Sequence, residues 1–387
     1  MIVRFCLFLI GLFCISSAYC TKKDTFRFEV SALMQKYGAV GVSVAVVKDN
    51  RIVFSGSFGY KDKQHSVLLH KNDLFRIASV SKTFVATAIM QLVEKNKLSL
   101  DDDVNKFLNF SVRHPNYPET PITIKMLLCH RSSITDSQGW IKTSFDNINP
   151  NKNTHYDLCY GNYAPGETFT YCNLNYELLG AIIENVSNMR FDVYIDEYII
   201  KPLGIKGGFN IDNLDSSLFV NSYQNNVQLD SLILNEQTYQ KKLDRFPQYD
   251  LGYNTSVFSP ASGMVISVED LARYMIMHMN DGRRLKSKIQ IINEASEREM
   301  REIQTGKTQY ALSFMHYNWI INGENLIGQT GGLYGIHTAM IFHPKKKYGF
   351  VIFCNGCKSK LADGHDMNFD ILKILYKKYI LNEKGNR

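Results

Sequence analysis

Strand-like runs stand at both ends of this 387-residue chain, and the patterns between them are helical. Val40 to Val47 and Ile52 to Phe58 read as strands, with Asp49-Asn50 as the hairpin turn between them. Three further strand-like runs come late: Ser313 to Ile321, Thr338 to Phe342 and Gly349 to Phe353. Apolar residues at helical spacing mark Phe26 to Tyr37 (ended by Gly38), the stretch opening at Ser79, Tyr176 to Val186, Val268 to Met279 and the closing amphipathic Phe369 to Ile380. This order predicts an α/β protein of the α+β kind. An antiparallel sheet is built from both termini, flanked by terminal helices and interrupted by an inserted helical region. The expected sheet part covers about 21–75 and 255–387, and the helical part about 76–254. Ile205 to Tyr249 is polar and without a period, the pattern of an irregular cleft wall or a mobile excursion.

Composition narrows the class. The chain is 45% hydrophobic and 21% charged, ordinary for a globular protein, and its net charge of +7 is small for the length. No basic cluster is interleaved with aromatics, and Lys345-Lys346-Lys347 reads as a solvated turn, so no nucleic-acid partner is expected. Residues 1–20 have the form of a secretory signal: Arg4, a short apolar run from Phe5 to Ile15, then Ser16-Ser17-Ala18. A secreted or periplasmic protein is expected, with residues 21–387 as the mature chain. The alternative is a lipoprotein at Cys20, for which Tyr19 is a bulky neighbour. No membrane-length apolar stretch follows the signal.

The cysteines do not form a metal pattern. Cys354 and Cys357 are spaced like one half of a zinc site, but no second pair completes it, and there is no His-Glu-x-x-His. A local disulfide or two free thiols is the better reading. Asn109, Asn185 and Asn254 fit the glycosylation sequon, which matters only in a eukaryotic host.

Three elements carry chemistry. Ser79-Val80-Ser81-Lys82 is the only Ser-x-x-Lys in the chain. On a helix this spacing sets the Lys82 amine above the Ser79 hydroxyl. The amine can take the serine proton only if desolvation or nearby positive charge lowers its pKa. Free N–H groups at a helix start can also stabilise an oxyanion. Alone the motif is weak, since a serine before a helix is usually an N-cap. The second element runs from Pro165 to Asn173. There Tyr171 and Asn173 flank one residue and point the same way in an extended loop. A phenol near an ammonium loses its proton more easily, and can act as a base or relay. The third is Gly328-Gln329-Thr330-Gly331-Gly332-Leu333-Tyr334-Gly335, lying between strand-like runs. It offers either a sheet edge that a substrate backbone can approach, or a flexible hairpin loop.

In this order the elements resemble the serine β-lactamase and penicillin-recognising enzyme family, in particular class C β-lactamases and their esterase, D,D-peptidase and D-aminopeptidase relatives. Phe75 to Lys82 looks like the family's nucleophile segment, and Leu127 to Ser133 resembles Leu-Leu-Ser-His-Thr-Ser-Gly. Pro165 to Asn173 resembles Pro-Gly-x-x-Phe-x-Tyr-Ser-Asn, and Gly328 to Gly335 resembles Gly-His-Thr-Gly-Gly-x-x-Gly. Ser259 to Met264 and Glu269 to Arg273 match a further structural stretch.

The resemblance implies a sheet domain beside a helical domain with the active site between them. It implies that Ser79 forms an acyl-enzyme and that Lys82 and Tyr171 handle protons. Asn173, Gln329, Thr330 and Gly331 would lie along the substrate, and the Ser79 and Gly332 N–H groups would hold the oxyanion. No metal or organic cofactor is implied. Gln329 stands where family members usually carry Lys or His, which weakens the expected hold on a substrate carboxylate. Cys129, Cys172 and Ser133 replace a Ser, a Ser and a Gly of the motifs.

The expected function is an extracytoplasmic serine hydrolase. Its substrates are ester or amide bonds of small molecules or peptides, with β-lactams and D-amino-acid peptides among the candidates. A penicillin-binding protein that deacylates slowly, or a catalytically weak binding module of the same fold, remains open.

Overall fold

The computed structural model describes residues 22–140, 144–226, 231–239, 248–358 and 365–381. The signal-like residues 1–20 lie outside them. Seven strands form one antiparallel sheet: β1 (Gly41–Lys48), β2 (Arg51–Asp62), β3 (Val67–Leu68), β4 (Met315–Tyr317), β5 (Leu326–Leu333), β6 (Ile336–His343) and β7 (Tyr348–Cys354), in the order β3-β2-β1-β7-β6-β5-β4. The β1–β7 pair joins the two ends of the chain, with Val44 opposite Ile352. Asp49 and Asn50 make the predicted turn, with φ of 50° and 57°, the left-handed values that a tight two-residue hairpin requires.

Five longer helices complete the fold: α1 (Lys22–Tyr37), α2 (Lys82–Glu94), α3 (Leu174–Ser187), α4 (Val268–Met279) and α5 (Met367–Tyr376). Strand alternation sorts the core into two layers. Val42, Val44, Val46, Phe350 and Ile352 pack with Phe26 and Val30 of α1 and Ile371 and Leu375 of α5. Tyr37 donates to Asp370 at 2.7 Å and ties these terminal helices together. Ala45, Val47, Val351 and Phe353 face the other way, onto a larger core with Phe84 and Ile89 of α2, Leu178 and Ile182 of α3, and Leu271 and Met275 of α4. Each fully buried side chain of this kind contributes roughly 1.5–3 kcal/mol, which fixes the helical region against the sheet.

Some expectations change. The glycine-rich stretch is not a loop but most of β5, and only Tyr334-Gly335 turns. Of Ser313 to Ile321 only Met315–Tyr317 is strand, because Ser313 at φ 77° bends the chain before it. The polar stretch after Ile205 contains a hairpin, Ser222–Asn226 paired with Ser231–Asn235. Cys129, Cys159, Cys172, Cys354 and Cys357 are free and buried thiols.

Candidate active site

The site forms where the start of α2, the start of α3 and strand β5 converge. Phe75–Arg76 pairs with Val265–Ile266 and leads into a 3-10 turn, Ala78–Ser81, before α2 begins at Lys82. Ser79 therefore sits in a tight turn ahead of the helix proper. Ala78, at φ 47°, holds a backbone conformation that non-glycine residues rarely adopt. Ala78, Val80 and Ser81 are buried, and Ser79 alone in the turn is partly exposed.

The predicted i,i+3 contact is present. Lys82 is fully buried, and its Nζ lies 3.1 Å from Ser79 Oγ, 2.7 Å from Asn173 Oδ1 and 3.0 Å from the Ala261 carbonyl. Burial lowers the Lys82 pKa to about 7, against the opposing pull of Glu177, Asp136 and Cys172. Near neutral pH this amine is thus part neutral.

Tyr171 stands on the other side of the lysine, with Nζ 5.0 Å from the centre of its ring. The residue is 40% exposed. Burial pushes its phenol above the ordinary pKa, and a hydrogen bond with Ser79 opposes this. The sequence-based expectation of a phenol made more acidic by the lysine therefore reverses. The Lys82 amine lies over the ring, and desolvation dominates. Tyr171 suits a hydroxyl that relays a proton rather than a standing phenolate. Under it lies His130, with ring centres 4.2 Å apart. His130 accepts the Cys172 N–H at Nδ1, and burial holds it neutral, well below its usual pKa.

Strand β5 closes the third side. A side chain at Gly331 would meet the Ile77 carbonyl at 2.5 Å and the Ser79 nitrogen at 2.9 Å, so only glycine lets the strand lie this close to the turn. Thr338 Oγ1 on β6 donates to the same Ile77 carbonyl at 2.8 Å. Gly332 is exposed and Thr330 half-buried. Gln329 is placed differently from the expectation of a substrate contact. It is 4% exposed, and its Nε2 donates to the Tyr310 hydroxyl at 2.9 Å, behind the Tyr171 ring.

Two acidic residues were missed in the sequence. Asp136 accepts from the Asn173 backbone and side chain and from the Leu174 N–H. Glu177, one helical turn beyond Asn173, accepts the Ala261 N–H at 3.1 Å and so holds the carbonyl that receives Lys82. A carboxylate on the apolar, buried side of α3 was the available signal for Glu177. Asp136, alone in a loop, gave none. Among the described residues no cluster of three His, Cys, Asp or Glu side chains could hold a metal ion, and no helix is long and apolar enough to cross a membrane.

The arrangement can deprotonate a serine, relay its proton and present backbone donors to an oxyanion. Residues 26–370 match a family model described as Beta-lactamase. Protein flp of Staphylococcus aureus (strain MW2) is 27% identical over 339 residues, 83% of this chain and 61% of that protein. The chain thus spans about three-fifths of the length of the curated relatives it matches. The octameric penicillin-binding protein homologue from Pyrococcus abyssi superposes with a TM-score of 0.73 at 23% identity, covering 92% of this chain and 77% of that one. EstCE1, a hydrolase with promiscuous acyltransferase activity, gives a TM-score of 0.70 at 20% identity over 91% of this chain and 98% of its own. At these identities the solved structures speak for the fold alone.

Proposed function

Since the chain belongs to the β-lactamase family, whose members are hydrolases, we propose that it is a serine hydrolase that works through an acyl-enzyme on Ser79. The observation that carries this reading is the buried Lys82 amine, with its pKa near 7, in contact with the Ser79 hydroxyl. In its neutral form Lys82 accepts the Ser79 proton while Ser79 Oγ attacks the substrate carbonyl. The Asn173 and Ala261 oxygens receive its remaining N–H groups. The backbone N–H groups of Ser79 and Gly332 hold the oxyanion. The Tyr171 hydroxyl gives its proton to the leaving group and regains one from the Lys82 ammonium, and water then cleaves the Ser79 ester by the reverse path.

The substrate class is esters or amides of small molecules or peptides, with D-amino-acid peptides included and β-lactams as a side activity. Gln329, turned onto Tyr310, offers a substrate carboxylate no positive charge. The working location is outside the cytoplasm, on the strength of the signal-like residues 1–20.

The test is intact-mass analysis after a fluorophosphonate or penicillin probe, together with steady-state hydrolysis of a p-nitrophenyl ester. One adduct on the native protein and none on Ser79→Ala, which also loses hydrolysis while staying folded, is the expected result. Labelling at another serine with activity kept in Ser79→Ala would sink the assignment. A burst without turnover would make the chain a slowly deacylating penicillin-binding protein instead.

A further inference from the structure

Lys82 does not meet a free asparagine. Asn173 Oδ1 receives the lysine at 2.7 Å, while Asn173 Nδ2 donates to Asp136 Oδ2 at 2.8 Å. The same Oδ2 accepts the Asn173 backbone N–H at 2.9 Å, and Oδ1 accepts from Leu174 N at 3.0 Å and from Cys172 Sγ at 3.2 Å. One carboxylate thus engages three successive residues of the loop that carries Tyr171. It also fixes which end of the Asn173 carboxamide faces the lysine. The flipped amide would set an NH2 against the lysine amine and an oxygen against a carboxylate, and both contacts are repulsive.

The geometry points to Asp136 as a positioning residue for the Ser79 reaction: it orients Asn173 toward Lys82 and sets, through one carboxamide, the negative charge against which Lys82 gives up its proton. This rests on the acyl-enzyme reading above. The groups facing Lys82 are Glu177 and Tyr176 of α3, Tyr171 and Cys172 of the preceding loop, His130 and Asp136. Of the acidic ones, only Asp136 is tied to the lysine through a residue that itself touches it with a side chain. Glu177 acts through the Ala261 backbone.

A plain structural role is the rival. A carboxylate at the first N–H groups of α3 is also a helix cap, which stabilises by roughly 0.5–2 kcal/mol and tunes nothing. The two roles separate in the pH profile. A neutral side chain at 136 removes a negative charge near Lys82, so the amine loses its proton at lower pH. The acid limb of kcat/KM should then move down by about one pH unit. A lost cap lowers the melting temperature and leaves the limb where it was.

The experiment measures kcat/KM for p-nitrophenyl butyrate against pH in the native protein, Asp136→Asn, Asp136→Ser and Asp136→Glu, with fluorophosphonate titration of active sites and a melting curve for each. The expected result is a downshifted limb and a lower plateau in both neutral variants. In Asp136→Glu the plateau falls while the limb stays in place. Asp136→Ser is neutral as well but smaller, so it decides the question if Asp136→Asn does not fold. A native protein that labels at Ser79 while both neutral variants keep the native limb overturns this inference alone. A native protein that does not label at Ser79 overturns the acyl-enzyme reading with it.

Discussion

Lys82 Nζ lies 2.7 Å from Asn173 Oδ1 and only 3.1 Å from Ser79 Oγ, with no side chain of Lys82 open to solvent. If Ser79 is acylated as proposed, this contact makes the protonation of one buried amine its switch. Burial brings its pKa from 10.5 to about 7. Below that value the ammonium cannot accept the Ser79 proton, and above it the amine can. For a p-nitrophenyl ester, kcat/KM should therefore rise with pH through about 7 and then level. Lys82→Arg keeps the charge at every accessible pH. It should cost roughly a hundredfold or more in kcat/KM and abolish this limb.

Tyr171 and Lys82 are expected to share one proton path. Tyr171→Phe and Lys82→Ala should each lower turnover by roughly a hundredfold. The double variant should then lose less than the product of the two. Fully multiplicative losses, measured under the same saturating ester concentration, would mean that they act independently.

The parts of this site that were legible in the sequence are those with short-range rules. The three-residue spacing of Ser79 and Lys82, the Tyr171–Asn173 pair and the Asp49-Asn50 turn need only local geometry, and each reads directly. Asp136 reaches Asn173 across 37 positions in the chain, and Glu177 reaches Ala261 across 84, distances over which periodicity carries no information. The glycines of β5 left two readings open for a physical reason. Glycine marks loops when its freedom is used, but Gly331 is needed for close approach within a strand. Tyr171 misled because a neighbouring lysine suggests an acidic phenol, whereas desolvation outweighs the other influences on its hydroxyl.

Gln329 tests the third side of the cleft. Its amide is spent on Tyr310, so a lysine at this position meets the Tyr310 hydroxyl before it meets a substrate. Gln329→Lys should lower the pKa of the Tyr310 phenol. It should change kcat/KM for a penicillin and for a neutral ester of similar size by the same factor. A gain of roughly tenfold confined to the penicillin, the size of one charge-assisted hydrogen bond, would instead set residue 329 against the substrate carboxylate.

Ser133 occupies the position where the resembling motif has glycine, and its φ is 63°. It is 1% exposed, and its hydroxyl has no hydrogen-bond partner among the described residues. The left-handed conformation costs a residue with a Cβ roughly 1–2 kcal/mol, and glycine returns roughly 0.5–1 kcal/mol of that through its freer unfolded state. Removing an unpaired buried hydroxyl adds to the gain. Ser133→Gly should therefore stabilise the protein by about 1 kcal/mol, read as a higher urea midpoint at unchanged slope. A lower midpoint would show that the serine makes a contact the fold depends on.

Gly331 and Gly332 are neighbours in β5 with opposite tolerances. An added Cβ at Gly331 would stand 2.5 Å from both the Ile77 carbonyl and Thr338 Oγ1 and 2.9 Å from Ser79 N. Two of these three atoms are backbone and cannot swing aside, so the strand and the nucleophile turn must separate. Gly331→Ala should cost about 1–3 kcal/mol of stability, the usual range for overpacking. It should also lower the rate of fluorophosphonate labelling, because the displaced turn carries Ser79. At Gly332 the nearest atom to an added Cβ is His337 Nδ1 at 3.8 Å, ordinary van der Waals contact. Gly332→Ala should keep native stability within about 0.5 kcal/mol. If both alanine variants melt alike and Gly331→Ala labels at the native rate, β5 does not press on the Ser79 turn. The backbone donor assigned to Gly332 would then lose its geometric basis.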